Sequence, residues 1–290
     1  DIDSLTWNPT DGGTFQKMIE HLTVDKNGVR GDQPGFNKND VAVYGMTSLN
    51  ADDFIGQMTW ADLTPTTGWQ LGNKADWPTQ FNYDDPRFVQ TMDWIKNLAA
   101  DGYIPPFGQY TQANGQSSVS GSELLGSGKV AMTMDGSWSA TTYYKLTGIS
   151  AKIAPTPIGP DGKRAVMSNS NGNNIWAGTK NPEDTWKWVS YMGSAACQTM
   201  AAEKNGSFFP SIPASMNAMS ATLGKQGVDL SVFTQYESQG SLYGATAYAN
   251  GSQLQSVLQP MLDQFFDGSA GNSVFATLQS KSASILSQND

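Results

Sequence analysis

Apolar residues recur every three to four positions in several runs of this chain, and most runs carry a recognisable start and stop. Phe15, Met18, Ile19 and Leu22 fall on one helical face, with Thr14 placed to cap it. Pro86 opens a stronger helix, whose Phe88, Met92, Ile95, Leu98 and Ala99 line one side before Gly102 ends it. Leu254, Val257, Leu258, Met261, Leu262, Phe265 and Phe266 trace a third face, closed by Gly268 and expected to kink at Pro260. The same reasoning predicts helices over 50–60, 122–128, 137–146, 182–194, 195–205 and 274–286.

Shorter apolar runs over 41–46, 130–134 and 152–158 read as strands, and the polar loop from Val166 to Asn174 feeds another at Ile175 and Trp176. The Gly, Asn, Asp and Pro residues of 25–40 make a long turn, and 159–162 make a short one. Residues 61–81 fit neither period and are expected to form an irregular surface lid carrying Trp69 and Trp77. Residues 208–213 read as extended and braked by proline. Trp94, Trp186 and Trp188 read as core or surface residues of their helices. Strands alternating with helices place the chain in the α/β class with a mostly parallel sheet. At 290 residues it is long enough for two lobes.

The most informative stretch runs from Lys129 to Trp138, where an apolar strand ends on a turn that presents Asp135, Ser137 and Trp138 side by side. Ligands of open α/β sheets sit beyond the carboxyl ends of strands, which is where this turn falls. A carboxylate, a hydroxyl and an indole suit a ligand with a polar rim and apolar faces, as a sugar has. The amides of Asn169, Asn171 and Asn173 offer donors and acceptors of the same kind. Trp60, Tyr248 and Asn250 are further candidates for the wall of such a site.

Composition narrows the chemistry. The hydrophobic fraction is 38%, which supports a packed core. Net charge is −9, with 26 acidic and 17 basic residues and no basic cluster, so nucleic acid is not an expected partner. The lone Cys197 reads as a small apolar helix residue, and the lone His21 as a surface residue near a helix C-terminus. They leave no zinc-spaced ligand set, and neither metal nor cofactor is expected. Residues 25–36 are spaced like a calcium loop, but Phe36 stands where a bidentate Glu is required. Gly126-Ser-Gly-Lys129 lacks the upstream Gly and the following Ser or Thr of a phosphate loop.

The order of short motifs along the chain adds a family likeness. Phe15 and Leu22-Thr-Val-Asp-Lys-Asn-Gly28 are followed by Pro34-Gly-Phe36, Tyr44-Gly45, Trp94, Gly128-Lys-Val-Ala-Met132 and Gly136-Ser-Trp138. Asn181-Pro-Glu183 with Trp186, Phe209-Pro210 with Ile212-Pro213, and Gly268 complete the series. From Trp7 to Asp290 this order resembles the extracytoplasmic solute-binding proteins of sugar ABC transporters, the group that includes maltose-binding protein. The resemblance implies a type II periplasmic-binding-protein-like fold of two lobes joined by hinge crossings. It implies a second lobe over 1–160 and 216–290, with 161–215 the returning part of an incomplete first lobe. It further implies an additional N-terminal segment, and a secretion signal or lipidated cysteine ahead of it.

Functionally, the resemblance implies a monomer outside the cytoplasm, periplasmic or lipid-anchored at a Gram-positive surface. Such a protein closes on a sugar or oligosaccharide and passes it unreacted to a membrane permease. In this likeness Trp138 takes the place of a stacking Trp. The Asn169 loop lies where the chain crosses toward the first lobe, and Tyr248 and Asn250 lie near another aromatic wall. The alternatives are a glycoside hydrolase, which needs two facing carboxylates, and a carbohydrate-binding surface protein. The hydrolase finds only five Glu to draw on, and His21 has no Gly-x-Ser-x-Gly elbow to serve.

Overall fold

The computed structural model describes residues 1–50, 52–110, 118–206 and 208–289. In chain order its elements are α1 (Gly13–Leu22), β1 (Val24–Asp25), β2 (Val41–Val43), α2 (Pro86–Ala100), α3 (Gly121–Gly126) and α4 (Ala140–Tyr144). There follow β3 (Val166–Ser168), α5 (Pro182–Met192), α6 (Ala195–Asn205), α7 (Pro213–Lys225), α8 (Ser231–Ser238), β4 (Leu242–Gly244), α9 (Gly251–Phe266) and α10 (Ser273–Leu286). The chain divides into two compact units. Unit 1 holds 1–135, 155–168 and 241–290, and unit 2 holds 136–154 and 169–240. The chain therefore passes from one unit to the other at 135/136, 154/155, 168/169 and 240/241.

Unit 1 is built on the strongest sequence signals. The Asp85 carboxylate accepts the Arg87 N–H at 2.9 Å and caps α2, with Pro86 preset for the first turn. Phe88, Met92, Trp94, Ile95 and Leu98 of α2 are buried. So are Leu254, Leu258, Leu262 and Phe265 of α9, spaced by one turn each, with Pro260 accommodated inside the helix. The helices meet through aromatic edges: Phe88 and Phe275 lie 5.7 Å apart, and Phe265 and Phe275 4.8 Å. Helix α1 starts at Gly13, and the Thr14 hydroxyl, expected as its cap, instead accepts the Thr6 N–H at 2.8 Å.

Three local expectations are overturned in this unit, wholly or in part. Among the described residues of 50–59 no helix forms: Asp53 Oδ1 gathers the N–H groups of Ile55, Gly56 and Gln57, and Gly56 and Met58 adopt left-handed backbone. The predicted lid over 61–81 splits: Ala61, Leu63, Trp69 and Phe81 are buried around 3₁₀ turns at Trp60–Asp62 and Thr64–Thr67, while 73–77 stay on the surface with Trp77 65% exposed, as expected. The strands predicted at 130–134 and 152–158 reduce to single parallel bridges, Tyr44 to Val130 and Thr6 to Ile158. Beyond Tyr44 the pairing slips, the next bond running from the Thr47 N–H to the Met132 carbonyl at 3.0 Å, and the ladder goes no further. The extended pairing that remains is β1 with β2, antiparallel, and β3 with β4, parallel in register Val166 to Leu242, Met167 to Tyr243 and Ser168 to Gly244.

Unit 2 is helical. Pro213, which ended the predicted extended segment, opens α7, and Ile212 before it keeps the extended backbone that proline imposes. Ser194 caps α6 by accepting the Cys197 N–H at 3.3 Å, and Cys197 itself is half-buried. Ala140, Ala202, Met219, Leu223, Val228 and Leu230 form the core. Trp186 and Trp188 lie on the outside, 59% and 61% exposed, and no residue of α5 is buried.

Candidate functional site

In unit 2, Gly136 lets the Trp138 indole fold back over the backbone. A Cβ on Gly136 would stand 2.3 Å from the ring, so only glycine permits this placement. Trp138 is half-exposed in the 3₁₀ turn Ser137–Ser139, which leaves part of its face available to a ligand. Asn169, Asn171 and Asn173 are exposed, and their amides make no hydrogen bond to a described residue. Unit 2 thus contributes an aromatic plane and a set of unspent planar amides. Trp176, 77% exposed just beyond that loop, was read only as the end of a strand. Its ring covers Gly178 as Trp138 covers Gly136, and that small-residue spacing was the available signal.

In unit 1 the candidates fare differently. Asp135 is exposed at the last position before the chain leaves the unit. Trp60 is corrected from a binding wall to a core residue: it is 0% exposed, edge-on to Trp69 at 5.9 Å and to Phe88 at 5.1 Å. Tyr248 is half-buried, its ring edge-on to Phe54 and Phe81. Asn250 is half-buried; one amide N–H donates to the Ile285 carbonyl at 2.9 Å, and its left-handed backbone leads into α9, so it ties α9 to α10.

The electrostatics of unit 1 centre on buried carboxyls. Burial pushes Asp62 up to about 7 against the opposing pull of the Met167 N–H, which its Oδ1 accepts at 2.8 Å. Nothing in the sequence around Asp62 marks it as buried. Burial likewise raises Asp53, although three backbone N–H groups favour its anion. Asp25 goes the other way: burial raises it, but the N–H groups of Asn37, Val29 and Asn27 outweigh that and hold it below the usual carboxylate range. Both Asp25 oxygens are therefore occupied by backbone, and the calcium-like spacing serves the turn. His21 meets Asp32 at 2.8 Å on the surface.

Comparison with known proteins identifies a family and a fold. The profile of a family described as bacterial extracellular solute-binding protein matches residues 3–227. No curated protein sequence matches the chain significantly. Among solved structures, M. tuberculosis UspC superposes with a TM-score of 0.75 at 21% identity, covering 98% of this chain and 68% of its own. The substrate-binding protein Lmo0181 of Listeria monocytogenes, in complex with cycloalternan, gives 0.66 at 11% identity and 98% and 65% coverage. The GacH receptor of Streptomyces glaucescens, seen with acarbose, gives 0.60 at 17% identity and 87% and 61% coverage. The chain spans about three-fifths to two-thirds of the length of these proteins.

Proposed function

Since this chain belongs to the bacterial extracellular solute-binding proteins, with the type II periplasmic-binding-protein-like fold, we propose that it captures a neutral sugar or oligosaccharide for an ABC transporter. It acts as a monomer outside the cytoplasm, free or lipid-anchored, and delivers the ligand unreacted to a membrane permease. The observation that carries this reading is in unit 2: a half-exposed indole held over Gly136, together with the open amides of Asn169, Asn171 and Asn173. An indole covers the C–H face of a sugar ring while planar amides take its hydroxyls. Asp135 supplies a carboxylate acceptor, and Tyr248 the edge of a second aromatic wall. The ligands bound by Lmo0181 and GacH, cycloalternan and acarbose, are of this chemistry.

The lobes are proposed to follow the crossings at 135/136, 154/155, 168/169 and 240/241. Glycoside hydrolysis is not favoured by the carboxyl that sits highest, Asp62. It is 9% exposed and bonded to the Met167 backbone, away from solvent in which a glycosidic oxygen could be protonated.

Calorimetric and tryptophan-fluorescence titration with mannobiose, maltotriose and larger neutral oligosaccharides tests the proposal. Saturable binding without turnover is expected, and Trp138→Ala should weaken it at least about tenfold with the fold intact. Turnover of the oligosaccharide, or an affinity untouched by Trp138→Ala, would reject this account of the site.

A further inference from the structure

β3 and β4 form the last element of unit 1 before the chain leaves at 168/169 and the first after it returns at 240/241. Their ladder is only three residues long on each side, so what else holds them decides where they sit. Both are tied to one 3₁₀ turn. Asp62 Oδ1 accepts the Met167 N–H at 2.8 Å, and the Tyr243 hydroxyl donates to the Ala61 carbonyl at 2.7 Å. Met167 and Tyr243 are directly paired in the ladder, so adjacent residues of the turn grip the two strands at the same level. The turn is itself immobilised by the buried Trp60 ring, which Gly56 and Phe88 enclose. The candidate loop with Asn169 begins one residue beyond β3, and the segment with Tyr248 begins just beyond β4.

We propose that Asp62 is a positioning residue for ligand binding, its buried carboxyl fixing the root of the two strands from which the Asn169 loop and the Tyr248 segment depart. The link to binding rests on the carbohydrate reading above; the anchoring of the strands does not. A carboxyl is a costly choice for a buried acceptor, since the anion loses its hydration and no cation pairs with it among the described residues. The cost makes the anchor proton-dependent. The titratable group facing it is Tyr243 on β4, whose hydroxyl is pushed up by burial and by the Asp62 charge; β3 and the turn Thr64–Thr67 bring none. Below neutrality the carboxyl is held neutral in the fold. As pH rises from about 4 toward 7, conformations that release β3 gain population, because a solvated carboxyl ionises before the buried one does; above about 7 that gain is complete.

Hydrogen exchange of the full chain at about pH 4 and about pH 7, corrected for intrinsic rates, tests the anchor at Met167 and over 242–244. Asp62→Ala should speed exchange there by about 10- to 100-fold and weaken mannobiose or maltotriose binding by about tenfold, because the Met167 N–H is left buried without an acceptor. Asp62→Asn keeps an acceptor oxygen; it should restore protection and abolish the pH dependence. Wild-type exchange in Asp62→Ala, or a wild-type pH profile in Asp62→Asn, overturns the anchor, and the Asn variant decides alone if the Ala variant fails to fold. Binding weakened by Trp138→Ala but not by Asp62→Ala overturns the positioning role and keeps the sugar reading. No binding by the wild type rejects the sugar reading, and exchange then decides the anchor by itself.

Discussion

Unit 1 buries most of its aromatic residues around α2, α9 and α10, Trp77 excepted, whereas unit 2 closes over a core of six residues and leaves Trp176, Trp186, Trp188, Tyr191, Met200 and Phe208 in solvent. The helices of the two units look alike in sequence: α5, like α2, begins on a proline and carries an apolar stripe. The difference is what stands opposite. A helical stripe is buried only where a second layer covers it, and α2 has α9 and α10 within aromatic contact while α5 has no buried residue. Periodicity therefore specifies which face of a helix is apolar and says nothing about whether that face is covered.

Truncating the core of each unit breaks or sustains this contrast most directly. Phe265→Ala in unit 1 should cost about 3–5 kcal/mol in denaturant unfolding, since it removes a fully buried ring. Trp186→Ala in unit 2 should stay within about 0.5 kcal/mol. A comparable loss in both would show that the α5 face is covered after all.

A second contrast is in pH. The Asp62 carboxyl sits at about 7 in the fold against 3.8 when unperturbed, so the folded state holds a proton that the unfolded chain has released between those values. Its contribution to stability is greatest below about pH 4, declines as pH rises toward 7 and is flat above. The full change is up to about 4 kcal/mol at 1.36 kcal/mol per unit. Melting curves across this range should show that slope in the wild type and lose it in Asp62→Asn; parallel curves for the two proteins would place the titration elsewhere.

Gly136→Ala sharpens the comparison on the unit 2 side. The new methyl must displace the Trp138 indole, so sugar affinity should fall several-fold, about 1 kcal/mol, with little change in the melting point. An unaltered affinity would mean that the ring is not held for a ligand. The smallest effects concern helix caps. Asp85→Ala should cost about 1 kcal/mol in unit 1, and Ser194→Ala, whose bond is longer, less than that in unit 2. The reverse order, read by chemical denaturation, would show that burial does not reinforce the cap.

Much of the fold was legible before any coordinates. Helix α2 runs from the predicted Pro86 start to within two residues of Gly102, α9 carries its predicted face and α10 spans its predicted range, because caps, proline, glycine and apolar spacing act within a few residues. The false helix over 50–60 failed at the same range: the Asp53 side chain competes for N–H groups that a helix would use. The site was legible only in part. Trp138 and the three asparagines could be chosen because indoles and amides suit a sugar wherever they are exposed. Trp60 was misjudged because its burial depends on the rings of Trp69 and Phe88, which only chain folding brings against it.

The sequence by itself determined the helix ends, the apolar faces, the turn that Gly136 opens for Trp138 and the absence of a basic surface, since each depends on residue type and short spacing. Only the tertiary structure decided which faces are covered, which aromatic rings remain free for a ligand, and that Asp62 lies buried against Met167. Burial and partner choice are set by segments outside any local window, 105 positions apart for Asp62 and Met167, and proton affinity follows burial.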